Sequence, residues 1–560
     1  MNKFLVFLML MASVASVTSC TQDDPYEEYF NNWMNNNVTP NTSSGNSATT
    51  GELASFDVAI DKTTAEPTDV ATAYYPDEED MLENNDFSTE VAIDLSNPVS
   101  KTVDGVEITV NGSHVTANHG SEKKVCYVVS GSTSNGSLTI LGEKKYAVKL
   151  NGVSITNPDS AALNLLSNKR AFVILADGTT NTLTDGVGGS QKGALYCKGK
   201  LLFNGSGSLS VTGNTNNGIH SADYITFSKG CNIYVKVAEN HGVKANDGIF
   251  INGGILNVEV SAAAAKGINS ESHIIINGGR TTVLTTGNGA YDTTDKSVKG
   301  AACIKTDSTL TVNGGELWLK STGSGGKGIN VDMEVNFNGG SVYVITTGGQ
   351  YKINNDSSSP KGIKVDGNIN ISGGRIWVRT TGYNGEGIET KKQLTITGGY
   401  VYAQGQHNDG LDANGNCYIK SGTIFAICSG TPEVAIDANT EGGYKLYVTG
   451  GTIVAVGGVE NGSSLSQSCY QASSWSASTW YALTVGSSTF SFKTPSSGGS
   501  GLVVSDASQP TLLSGVSVSD GSSYFGGLGI YGGTVSGGTN ISLSSYSGGN
   551  GMNSGPGGWH

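Results

Sequence analysis

Long apolar periods are what this sequence lacks. Beyond residue 20 no apolar segment recurs at 3.6-residue spacing, which excludes a helical body and a helical membrane span. Basic charge is also scarce. Lysine and arginine number 33 against 47 acidic residues, a formal net charge of −14, or −15 once Lys3 leaves with a leader. Such a chain is a poor partner for nucleic acid, and an acidic ligand would need a local basic patch or a bridging cation. Paired cysteine spacing is missing as well. Of eight cysteines, seven remain when Cys20 is set aside, an odd number that argues for small buried side chains over a disulfide framework. What abounds is glycine, 80 residues in 560 and about twice the usual share, which together with the missing helical period points to β-structure.

The first twenty residues, "MNKFLVFLMLMASVASVTSC", read as a secretory signal over 1–19 whose "VTSC" ending resembles a lipobox. Cleavage before Cys20 and lipidation of its thiol are expected. The acidic residues that follow, "CTQDD", resemble the export signal of surface lipoproteins of Bacteroidetes. The expected address is therefore the outer membrane, facing out, with the membrane reached only through the lipid. Residues 20–97, acidic and rich in Asn, Thr and Ser, read as a linker with an N-terminal cap.

A repeat orders the remainder. "GINSESHIIINGGRTTVL", "GINVDMEVNFNGGSVYVI" and "GIKVDGNINISGGRIWVR" share a glycine at Gly279, Gly340 and Gly374, with counterparts at Gly254, Gly315, Gly399, Gly422 and Gly451. The steps are 25, 36, 25, 34, 25, 23 and 29 residues. A period near 24 fits three short strands and three turns, one coil of a parallel β-helix over 98–456. Pairs such as Ile274/Ile276, Leu310/Val312 and Val335/Phe337 are spaced by two, as inward-facing residues should be. Residues 457–546 read as a C-terminal β segment capping the solenoid, and 547–560 as a Gly-rich tail.

Stacking coils turns equivalent positions into columns. One column reads His220, Lys244, Asn269, Lys305, Asn330, Lys364, Glu389, Asp412 and Asp437; its neighbour reads His241, Lys266, Lys327, Lys361, Glu386 and Asp409. Both run from basic to acidic. Solvated turn residues are the bland reading, but like charges stacked about 4.8 Å apart repel, and a purely structural ladder would alternate signs. At the acidic end, Asp409, Asp412, Asp437, Glu386 and Glu389, with Asn408 beside them, offer hard oxygen donors suited to calcium rather than zinc. At the basic end, lysines including Lys305 and Lys327 suit the carboxylates of an acidic polysaccharide. Lys361 or Lys364 would suit a general base in β-elimination.

Two insertions, 287–302 and 348–362, leave the solenoid just before this edge and would wall a groove, adding Tyr291, Asp292, Asp295, Tyr351 and Asp356. On another face, Trp318, Tyr343, Trp377, Tyr402 and Phe425 form an outward aromatic column over five consecutive coils. Such a column either stacks on sugars or is filler under a cover.

At these residues the chain resembles a family of bacterial secreted β-helix proteins labelled carbohydrate-binding domain-containing proteins. The resemblance rests on "LADGTTNTLTDG" (175–186), "GSGSLSVTGNTNNGIHS", the "INGG" coils and "NDGLDANG", and it covers roughly 106–546. It implies a right-handed parallel β-helix with bound calcium, affinity for plant polysaccharides such as cellulose and pectin, and a fold kinship with calcium-dependent, lysine-base pectate lyases. Asp409 and Asp412 match the family's acidic motif; Asp437 follows from the coil alignment alone. Catalysis is where the chain departs. Lys361 and Lys364 lie two coils before Asp409 and Asp412, about 10 Å along the axis, and no arginine stands in the two columns. The leading expectation is a monomeric, surface-tethered, calcium-containing polysaccharide-binding protein. A lyase using Lys361 or Lys364 comes second, and a structural or adhesive surface protein third.

Overall fold

The computed structural model describes residues 68–430, 433–460, 463–497 and 501–547. The leader, Cys20 with its expected lipidation, the acidic stretch up to residue 67 and the tail from 548 lie outside them.

Each coil contributes three strands, as in Lys327–Val331, Glu334–Phe337 and Ser341–Thr346. The first strands stack into a 14-stranded sheet running from Lys101–Val103 to Leu411–Ala413, parallel except at its first hairpins. The second and third strands form two more parallel stacks, joined where the long strand Tyr146–Thr156 pairs with both. The chain is thus an all-β parallel β-helix. Alternation sets which side chains turn inward. Ile304, Ile329 and Ile363 align in the first sheet, Leu310, Val335 and Ile369 in the second, and Leu317, Val342 and Ile376 in the third. All nine are buried, and each such side chain contributes roughly 1.5–3 kcal/mol relative to exposure. The seven described cysteines are all buried.

The repeat's shared glycine has a steric cause. From Gly254 to Gly451 these residues hold φ between 74° and 95°, where a side chain is strained. A Cβ on Gly315 would also stand 2.8 Å from the backbone of the coil beneath. Beside this turn an amide ladder links coils: Asn277 donates to Asn252, Asn313 to Asn277 and Asn338 to Asn313, each at 2.8–2.9 Å.

Residues 69–88, within the stretch expected as linker and N-terminal cap, form a strap across the outside of the second sheet. It runs from the coil of Gly315, whose N–H donates to the Asp69 carbonyl, past Tyr74 against Phe250, to Phe87 against Phe172. At its middle Arg170 reaches Asp77, Glu79 and Asp80, and the Tyr224 hydroxyl donates to Asp80 at 2.6 Å. Part of the strap's acidity is thus spent in ion pairs. Thr89–Asp94 then enters the stack beside Val125–Thr133. Because Asp80 is fully buried, Arg170→Ala leaves an uncompensated carboxylate and should cost roughly 3 kcal/mol. Denaturant unfolding should show the loss, and limited proteolysis should cut first within 69–88.

At the C-terminal end, Leu502–Ser505 pairs antiparallel with Thr452–Val456 and with Cys469–Ala472. The segment between and after them forms a six-stranded antiparallel sheet that includes Trp480–Val485, Ser488–Lys493 and Thr511–Ser519. This sheet folds back over the third face of the solenoid.

Candidate functional site

That cover decides the fate of the aromatic column. The register stacks Trp318, Tyr343, Trp377, Tyr402 and Phe425 outward, but Trp377, Tyr402 and Phe425 are buried in one cluster with Tyr481, Phe490, Phe492 and Phe525 of the C-terminal sheet. As glycan-binding residues these three are corrected: their outer surface is already filled. Trp318 and Tyr343 stay half-buried, yet their rings stack on each other, centroids 4.1 Å apart and planes within 14°. Each ring spends one face on the other. The next residue below Trp318 in the column, Thr282, is fully buried. A coin-like stack presents ring edges outward, not the flat face a sugar needs.

The first sheet keeps its outer face, and there the two charged columns come together as expected. Lys305, Asn330, Lys364, Glu389 and Asp412 are successive register partners, as are Lys327, Lys361 and Glu386. Ala302 separates Lys266 from Lys327. The insertions fold into hairpins, Ala290–Asp292 with Ser297–Lys299 and Tyr351–Ile353 with Asp356–Ser358. Between these hairpins and the sheet lies a groove of about 960 Å³. Tyr291, Asp292 and Asp295 line it; Tyr351 instead packs against Gly289, and Asp356 ties the hairpins together by accepting from the Val298 N–H at 2.6 Å. Seven lysines and five aspartates line the groove, so in an acidic protein it is locally basic.

The lysines differ in what they can do. Lys305 is paired with Asp307 and Asp332 at 2.7 and 2.6 Å, and Lys364 with Asp366 at 2.5 Å. Lys327 is buried, donating to the Gly325 carbonyl and to Ser358 Oγ at 2.5 Å. Burial, with Lys361, Lys364 and Lys266 nearby, brings its pKa down to about 7. Burial and then Lys305 and Lys299 bring Lys266 down to about 8. Lys361 is the opposite case. Burial works against its charge, but Glu386 at 2.8 Å and Glu389 at 2.5 Å outweigh it and push the pKa up to about 12. An ammonium held that firmly is a poor general base, which corrects the expectation for Lys361.

Glu386, Glu389 and Asp412 each bring a carboxylate oxygen within 4.8 Å of the others, the one such acidic set among the described residues. Asn408 donates to Glu386 at 3.0 Å and Asn414 to Asp412 at 3.2 Å. Asp409 and Asp437 stand outside the set. Asp409 accepts from the Val434 N–H at 2.8 Å, and Asp437 shares a hydrogen bond with Glu460. Lys361 and Lys391 hold Glu389 below the usual carboxylate range against its burial. For Asp412 the same two lysines do not outweigh burial and the glutamates. Burial, then Glu386 and Glu389, lift Asp412 to about 8; burial, then Glu460 and Asp409, lift Asp437 to about 11. Burial and Asp412 raise Asp409 as well. Five carboxylates thus face two ammonium groups. The donor set fits a hard cation, which would share the two glutamates with Lys361.

The sequence profile of the carbohydrate-binding domain-containing protein family matches residues 111–263, 259–347 and 321–410. The chain belongs to that family. A relative of the same description from Acetivibrio thermocellus is 28% identical over 165 residues, covering 28% of this chain and 55% of the relative. The chain therefore matches about half of that relative's length. A solved polysaccharide lyase-like protein from C. thermocellum, a gadolinium derivative, is 20% identical with a TM-score of 0.32, covering 50% of this chain and 96% of that one. That superposition is too loose to carry any residue across. Within the matched family region lie both hairpins and every groove lysine. Column reading missed two of these lysines: Lys299 belongs to an insertion, and Lys391 lies past the end of its strand, although its spacing of two from Glu389 was visible.

Proposed function

We propose that this member of the family is a polysaccharide-binding protein that takes an acidic glycan into the lysine-lined groove of its first sheet. One observation carries the reading: seven ammonium-bearing side chains converge in one groove, on the uncovered face of an acidic chain. Paired lysines such as Lys305 would position the chain of sugars, and Lys327 and Lys266 would meet carboxylates. Calcium at Glu386, Glu389 and Asp412 belongs to the same proposal, since it would supply a positive charge that glycan oxygens can share. So does a monomer tethered through lipidated Cys20 on the outer face of the outer membrane, which the "VTSC" ending and the acidic residues behind it support.

Affinity electrophoresis through gels containing polygalacturonate or a neutral glucan tests the groove. Retardation by the polyuronate alone is expected. It should weaken as pH rises from about 6 to 9, because Lys327 and Lys266 lose their protons in that window, near pH 7 and 8, and an anion binds their charged forms. Equal retardation by the neutral glucan, flat across pH, would move the binding away from these lysines.

A further inference from the structure

Resting on that groove, we infer that Tyr383 and His407 form a sugar-stacking subsite that extends it toward the acidic end. Tyr383 is 70% exposed, the most exposed aromatic among the described large apolar residues. It stands on the turn between Arg375–Thr380 and Glu386–Thr390. Its ring lies 5.3 Å from that of His407, tilted by 44°, so neither ring closes off the other as in the Trp318 stack.

The backbone around the pair is specialised. Asn384 and His407 hold φ of 60° and 54°, a region that side-chain-bearing residues seldom adopt. Gly385 and Gln406 exchange two backbone hydrogen bonds, 3.1 and 2.7 Å, which lock one turn to the other. Left-handed residues at paired, rigid turns are where strain is spent on presenting side chains. The turns also adjoin the groove. Pro360, between groove-lining Ser359 and Lys361, would be met by a Cβ on Gly382 or Gly385 at 3.1–3.2 Å. On the far side Asn408, next to His407, donates to Glu386. A glycan leaving the groove over Pro360 therefore passes beside these rings. Tyr291, on the groove's first hairpin, precedes a coil three below that of Glu386, about 14 Å along the axis. An amphipathic ring with one open face suits the apolar face of a pyranose.

Calorimetric titration of the full chain with galacturonate trimer and hexamer tests this. Tyr383→Ala should weaken the hexamer roughly five- to ten-fold and leave the trimer unchanged, while Tyr383→Trp keeps the hexamer. Hexamer affinity unchanged in Tyr383→Ala, or an equal loss on both lengths, overturns the subsite and leaves the groove reading standing. No binding of either length by the unaltered protein overturns the groove, and the subsite with it. Exposure of Tyr383 makes loss of folding an unsuitable explanation, and unchanged thermal melting checks it.

Discussion

Phe425→Ala should cost the fold about 3–5 kcal/mol and leave retention by glycan gels unchanged wherever the variant is folded. Phe425 is fully buried, with rings of Tyr402, Phe492 and Phe525 at 5.3, 5.5 and 6.3 Å. Truncation removes a large apolar side chain from the seam between solenoid and C-terminal sheet. The neighbours on one side are register-locked coil residues, which limits how far the cavity can collapse. The loss should appear in the part of the unfolding transition that reports release of the six-stranded sheet, followed by Trp475 or Trp480 fluorescence. A sugar-binding aromatic behaves the other way, losing affinity with little change in stability. Loss of gel retention in a fully folded Phe425→Ala protein would return the column to the ligand.

The coils and both charged columns were legible in the sequence for a simple reason. A coil near 25 residues long makes spatial neighbours out of residues at fixed separation, so Lys361, Glu386 and Asp409 align by counting. Inward ladders follow from alternation in the same way. What counting cannot supply is contact between segments that do not repeat. Residues 69–88 meet partners such as Asn277 and Gly315 some two hundred positions away, and no periodicity announces them. Likewise the strands over 480–540 are readable as strands, but nothing in them says that they fold over the third face. Trp377 and Tyr402 point outward as counted; whether outward means solvent depends on that cover.

The acidic end shows a subtler limit. Five carboxylates in adjacent columns suggested a cation, and the neighbouring coil's Lys361 was read as a possible base. Placed one coil apart, the two readings meet: the lysine is itself counterion to Glu386 and Glu389. Sign segregation along the edge is therefore incomplete at the boundary, where basic and acidic coils neutralise each other. The carboxylates that burial and like-charged neighbours hold protonated lie further on, at Asp409, Asp412 and Asp437.

That placement sets the last expected result. In chelator the protein should lose stability as pH rises from about 4 toward 8 and beyond, and calcium should remove the part of the loss that Asp412 carries. Asp412 and Asp437 have pKa values raised to about 8 and about 11 in the fold, against about 3.9 unfolded. A group whose folded pKa is raised binds more protons folded than unfolded, so its contribution is complete below about pH 4 and disappears as pH climbs through the folded value. Each pKa step is worth about 1.4 kcal/mol, so even a fraction of these shifts amounts to several kcal/mol by neutral pH. Lys327 and Lys266 act in the opposite sense. Their lowered values penalise the fold below pH 7 and release it as pH approaches about 10.4, which should flatten the curve above neutrality without reversing it below. A cation bound at the Glu386, Glu389 and Asp412 set replaces the proton at Asp412, so calcium should remove that aspartate's share of the loss from pH 5 to 8 and leave the share of Asp437, which stands outside the set. Melting temperature across that range, with calcium and with chelator, reads the difference directly. Coincident curves would mean that the carboxylates are neutralised by protons and by Lys361 and Lys391, with no calcium bound beside them.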